Sequence, residues 1–194
     1  MNEELTVMTV DEVVKAAALA ASAWATSNGM ARATLLRALA KALNDDSGEL
    51  VRLADEETSL GALRLKSELA RTVLQLRRFA DAAAAGDIPS SESRPLRKRA
   101  PKGPVAIFAS GDFPFALSVL GSATAWGLAA GCAVVVKAHP RHPQLSRRVH
   151  GLALSVIQQQ QLPASLLGFV EGASVELQVQ LLNHPQIAAA AFAG

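Results

Sequence analysis

Three short stretches of this 194-residue chain place small or polar residues directly after apolar runs. Ala109, Ser110, Gly111 and Asp112 follow VAIF, Lys137, Ala138, His139 and Pro140 follow AVVV, and Glu171 and Gly172 follow LLGFV. If the runs are parallel strands, these residues stand at their carboxyl ends, outside which open α/β sheets bind ligands. Other chemistry is sparse. Cys132 is the one cysteine, so the chain can form neither an internal disulfide nor a thiolate metal cluster. Set between Gly131 and AVVV, it reads as a core residue. Arg94, Arg97, Lys98, Arg99 and Lys102 cluster among prolines and serines. That run reads as a solvated face, with a phosphate or acidic-partner site as the alternative.

The elements that must position these residues fall into two halves. Thr9 and Glu12 form a T-x-x-E capping box. Val10, Val13, Val14, Ala17, Ala21 and Trp24 then recur every three or four residues, one face of an amphipathic helix that Asn28-Gly29 ends. A second helix carries Leu35, Leu36, Leu39 and Leu43 inward. Asp46, with Glu49, is placed to cap a third, and a fourth spans roughly residues 62–84 with Arg71, Arg77 and Arg78 solvated. With capped ends and clear stripes, these helices read as able to stand alone. From Val105 the pattern becomes strand, helix, strand. VAIFAS, AVVVK, LLGFV and IAAAAF read as strands of a parallel sheet covered on both faces. Pro114 is expected to open a helix that Gly131 closes, with Asp112 as its cap. A long helix follows from about Gln144. The segment from Val175 to Leu181 alternates apolar and polar residues, which argues strand, but it lies between two parallel strands and Ser174 can cap it. Helix is the expectation adopted.

Composition narrows the class. A 50% hydrophobic content suits a packed core, and a net charge of +2 with no tyrosine argues against nucleic-acid partners. No apolar run approaches the roughly 20 residues of a spanning helix, and the first residues lack a signal-peptide pattern. A cytoplasmic protein is the expectation.

In order and spacing, PKGPVAIFASGDFPF, AWGLAAGCAVVVKAHPRHP, LPASLLGFVEG and NHPQIAAAAFAG resemble the cofactor-binding half of aldehyde dehydrogenases. AWATSNGMARATLLRALAKAL and the ADEETSLG turn resemble that family's leading helices, so the likeness covers nearly the whole chain. VVVKAHPRHP and ETSLGALRLKSELARTVLQLRRFA are similar to the α-ketoglutarate semialdehyde dehydrogenase branch. The resemblance implies an α/β fold: amino-terminal helices (residues 1–86), a linking segment (87–102) and a truncated Rossmann-like parallel sheet with crossover helices (103–194). It implies NAD(P)-dependent oxidation of an aldehyde, with a cysteine nucleophile, a glutamate base and an oxyanion held by a side-chain amide and a backbone N–H.

Residue by residue, Lys137 matches a lysine that reaches the adenosine ribose; the alternative is a strand-end lysine in water. Pro140 stands where many members carry a ribose-binding glutamate, which favours tolerance of NADP, with His139 and Arg141 as extra cations. Gly172 matches a glycine beside the adenine, or is an ordinary turn glycine. Ala109, Ser110 and Gly111 would line the nicotinamide half. Asp112 stands at the oxyanion position, where the family has asparagine in an N-F-P context; an ionised carboxylate accepts and cannot donate. Gly194 falls where the family continues into the helix that faces the pyrophosphate. The nucleophile and base would lie beyond it. The resemblance therefore implies a fragment inactive alone, with weak NAD or NADP binding, an aldehyde as the small-molecule substrate of the full-length family, and self-association through an uncovered sheet edge. A non-catalytic nucleotide-binding or interaction module that kept the fold is the alternative.

Overall fold

The computed structural model describes residues 8–86 and 103–192. The expected linker (87–102) with its basic run, and Gly194, lie outside the described residues.

Four helices come first: α1 (Val10–Ala25), α2 (Gly29–Asp45), α3 (Ser47–Thr58) and α4 (Ala62–Ala85). The capping box of α1 forms as expected, with Glu12 N–H donating to Thr9 Oγ1 and Thr9 N–H to the Glu12 carboxylate. Asn28 caps α2 through Ala31 N–H, so Asn28-Gly29 both ends one helix and starts the next. Asp46 makes no side-chain cap; both of its oxygens are taken by Arg148. A bidentate guanidinium on a carboxylate outcompetes a single backbone N–H.

The second half holds β1 (Val105–Phe108), α5 (Ser122–Ala129), β2 (Val134–Lys137), α6 (Pro143–Gln159), β3 (Leu167–Val170), α7 (Val175–Leu182) and β4 (Ala189–Phe192). The strands are all parallel, in the order β3-β2-β1-β4. Two crossovers step the same way across the sheet, and the third returns past β1. Right-handed connections therefore place α5 and α6 on one face and α7 on the other. Accordingly α5 packs on β1 and β2 beneath α2 and α4, while α6 packs on β3 against α2 and α3. On the opposite face α1 lies on β2 and β3 beside α7. Buried residues of the helices and the sheet form one continuous core. Trp24 ties α1 across it, its indole N–H donating to Leu128 O at 3.0 Å. Arg32 donates to Ala25 O and Ala129 O, the carbonyl ends of α1 and α5, where a cation is favoured by both helix dipoles.

One expectation needs correction. Residues 114–120 form turns, and the helix begins only at Ser122. The backbone N–H groups that a helix start would leave open are bonded elsewhere: those of Phe115 and Ala116 donate to Glu68, and Ser122 N–H donates to Ala116 O. At β4 the uncovered edge expected of IAAAAF is present: Ala189, Ala190 and Phe192 are exposed. The 175–182 segment is a helix, capped by Ser174 Oγ. Its alternating residues resolve into two i,i+4 pairs: Leu177 and Leu181 turn inward, while Val175 and Val179 are exposed.

Candidate functional site

Strand register fixes where the loop residues meet. Phe108, Lys137, Val170 and Phe192 pair as one row, so all four strands end at the same level. Ala109 N–H continues the ladder to Lys137 O, and Ala138 N–H to Val170 O. The strand order reverses between β1 and β4, which is where an open α/β sheet leaves its crevice.

Lys137 is not in water. It is 3% exposed, and burial pushes its ammonium pKa down against an opposing pull from Glu171. Nζ donates to Ala138 O at 2.8 Å, its one hydrogen-bond partner among the described residues. An ammonium carries three donors, so two remain unspent. Gly111 and His139 bring the first two loops together, since a Cβ on Gly111 would fall 2.6 Å from the imidazole. Burial, then neighbouring cations, push the His139 pKa down, and its Nδ1 accepts Arg141 N–H at 3.2 Å. Arg141 instead pairs with the Asp112 carboxylate at 2.5 Å. That pairing also corrects the cap assigned to Asp112, whose side chain is 70% exposed, while α5 starts only at Ser122 with no side-chain cap. Pro140 is exposed. Gly172 sits at φ +131 with Leu177 2.4 Å from where a Cβ would be, so the turn itself requires glycine.

Behind these loops lies a buried network. Ser110 N–H donates to Leu117 O, Ser110 Oγ accepts Asp112 N–H, and Ser110 O accepts the His142 Nε2–H at 2.9 Å. The other nitrogen of the buried His142 meets Ser146 Oγ on α6. The loop after β1 is thereby fastened to the first turn of α6.

The opposite side of that loop is held by α4. Arg64 donates to Asp112 O at 2.7 Å and lies over the Phe113 ring. Glu68, only 8% exposed, accepts from Phe115 N–H and Ala116 N–H at 2.8 and 2.9 Å. A cavity of about 420 Å³ opens between α4 and this loop, with Arg64, Glu68, Arg71, Phe113 and Leu117 in its walls. Among the described residues no cluster of His, Cys, Asp or Glu is placed to hold a metal, and no helix is long and apolar enough to cross a membrane.

The sequence matches the aldehyde dehydrogenase family over residues 2–194. The chain belongs to the aldehyde dehydrogenase family. An α-ketoglutaric semialdehyde dehydrogenase of Azospirillum brasilense is 34% identical, over 84% of this chain and 34% of the relative. One from Acinetobacter baylyi is 33% identical, over 96% of this chain and 38% of the relative. This aldehyde dehydrogenase chain therefore spans little more than a third of the length of these relatives. A Thermus thermophilus 1-pyrroline-5-carboxylate dehydrogenase shares the fold at TM-score 0.81 and 20% identity, over 94% of this chain and 36% of that one. A Brucella melitensis aldehyde dehydrogenase superposes at TM-score 0.80 and 22% identity, over 94% and 38%.

Within this member of the family, sequence reading missed Arg64, Glu68 and His142. Glu68 carried a signal: it is spaced three residues from Leu65 and four from Thr72, on the apolar stripe of α4, where a carboxylate is out of place unless it is bonded. The buried Lys137 stands at the carboxyl end of β2, one strand from the strand-order reversal, and the loop after it carries the exposed Pro140.

Proposed function

We propose that this chain supplies the dinucleotide-binding strands of an NAD(P)-dependent aldehyde dehydrogenase whose substrate is a semialdehyde. The observation that carries the reading is Lys137, a buried ammonium with unspent donors at the carboxyl end of β2. Lys137 and Gly172 would hold the adenosine half, and Ala109, Ser110 and Gly111 would line the nicotinamide half; a bound cofactor supplies the hydride acceptor. The names of the two semialdehyde dehydrogenase relatives support the substrate class. Lys137→Met is expected to weaken NADP binding at least tenfold by calorimetry, with NADP bound at least as well as NAD in the parent chain. Micromolar NAD affinity with rejection of NADP, or an unchanged Lys137→Met variant, would refute the assignment.

The chain alone is expected to be inactive. Cys132 is buried ahead of β2, and the Asp112 carboxylate accepts from Arg141 and offers no donor to an oxyanion. The same ion pair favours a second reading, a nucleotide-binding module that kept the fold without the chemistry. Semialdehyde-dependent cofactor reduction by the chain that is lost in Asp112→Ala would rule that second reading out.

Phe192 on the edge strand β4 is exposed, and α7 also exposes Val175, Val179 and Leu182. Such an edge templates association. Sedimentation velocity over a micromolar concentration series is expected to show a concentration-dependent oligomer. A single monomer species throughout would show that the edge is protected.

A further inference from the structure

The cavity beside α4 has a charge pattern of its own. Arg64, Glu68, Arg71 and Gln75 all line it, and their spacing of four, three and four residues puts them on one helix face. Two of the three charges are already committed. Arg64 is bound to Asp112 O and laid over Phe113, and Glu68 Oε1 is spent on two backbone N–H groups, with its Oε2 sealed from solvent. Arg71 is exposed and has no hydrogen-bond or ionic partner among the described residues. The facing wall, Phe113, Ala116 and Leu117, comes from the loop that holds Asp112 and is mainly apolar. The cavity is therefore asymmetric. Its Arg64 end lies at Asp112, and its Arg71 end lies two helical turns along α4, about 10 Å away.

We propose that Arg71 is a specificity-determining residue which binds the carboxylate of the substrate, so that the cavity takes a short aliphatic aldehyde bearing an acid at its far end. A planar guanidinium meets a carboxylate through two parallel N–H···O bonds, which a lysine cannot reproduce. The methylenes between the two ends lie against Phe113 and Leu117. A neutral or cationic group in place of the acid leaves the Arg71 fork unmatched. The ligand class rests on the semialdehyde reading above, whereas the site itself rests on the cavity and its open guanidinium.

The test uses the 194-residue chain with glutarate as probe, read by saturation-transfer NMR on the glutarate methylenes. Saturable binding is expected, weakened by added salt, reduced at least tenfold in Arg71→Met and only partly restored in Arg71→Lys. Glutaramide, the neutral counterpart, should bind poorly. No saturable transfer, equal binding by Arg71→Met, or equal binding of glutaramide would overturn the proposal. NADP titrated into the same samples separates the two readings. Its binding should be untouched by Arg71→Met. Glutarate binding without NADP binding overturns the dinucleotide reading and leaves this site standing; NADP binding without glutarate binding overturns this site alone.

Discussion

Replacing Glu68 with alanine is expected to destabilise the chain by about 3 kcal/mol, because one buried and one half-buried N–H donor lose their shared acceptor at once. The carboxylate takes Phe115 N–H and Ala116 N–H, in a stretch where Pro114 and the tight path to Gly121 prevent a regular helix from satisfying them. Gly121 leaves no alternative course: a Cβ there would lie 2.4 Å from Ala116 O. Glu68→Gln keeps one oxygen for these donors and should cost markedly less. Urea unfolding followed by circular dichroism measures both. Loss in the alanine variant should extend to binding in the α4 cavity, since the turn that forms its far wall is released. An alanine variant with the parental midpoint would mean that the turn is held by its own contacts, and Glu68 would lose its role.

Gly29→Ala is expected to cost a comparable amount, about 3 kcal/mol, through overpacking against backbone. The new Cβ would fall 2.0 Å from Ala83 O, where the start of α2 meets the end of α4. A backbone carbonyl near the end of a helix cannot rotate aside as a side chain can, so the two helices must separate. Leu36 and Leu39 in α2 and Leu76 and Ala80 in α4 all lie in the continuous core that this separation would open. The contrast is Gly48→Ala on α3, where a Cβ meets nothing within 4 Å; that change should be neutral or mildly stabilising. A thermal melt of Gly29→Ala superimposable on the parent would sink the argument.

Much of the fold was legible because its signals are local. The α1 capping box, the apolar stripes of α1, α2 and α4, and the β-branched run of β2 are each decided within a few residues. Helix α7 was legible only through its neighbours, since its residues alternate like a strand and Ser174 with the two flanking strands settled the matter. What could not be read were choices made across the chain. Asp46 and Asp112 are good caps by residue type, but Arg148 and Arg141 take them, and nothing near either aspartate announces those partners. Gly29 looked like a breaker, whereas its missing side chain serves contact with Ala83. At the candidate site the strand ends were legible from topology alone. The burial of Lys137 and the lowered pKa of His139 depend on how two loops close over one another, which no spacing encodes.

The tie between Trp24 and Leu128 sets an order on the birth of the protein. The indole finds its acceptor 104 residues further along the chain. At ordinary synthesis rates that carbonyl is made roughly 5–20 s after the tryptophan. The β3 strand and α7, against which the same helix packs, come later still. Until then Val13, Val14, Ala17 and Trp24 form an uncovered apolar stripe on a helix with nothing to lie against. Helix α1 therefore lacks its packing partners until the sheet is made, whereas α2, α3 and α4 already have one another.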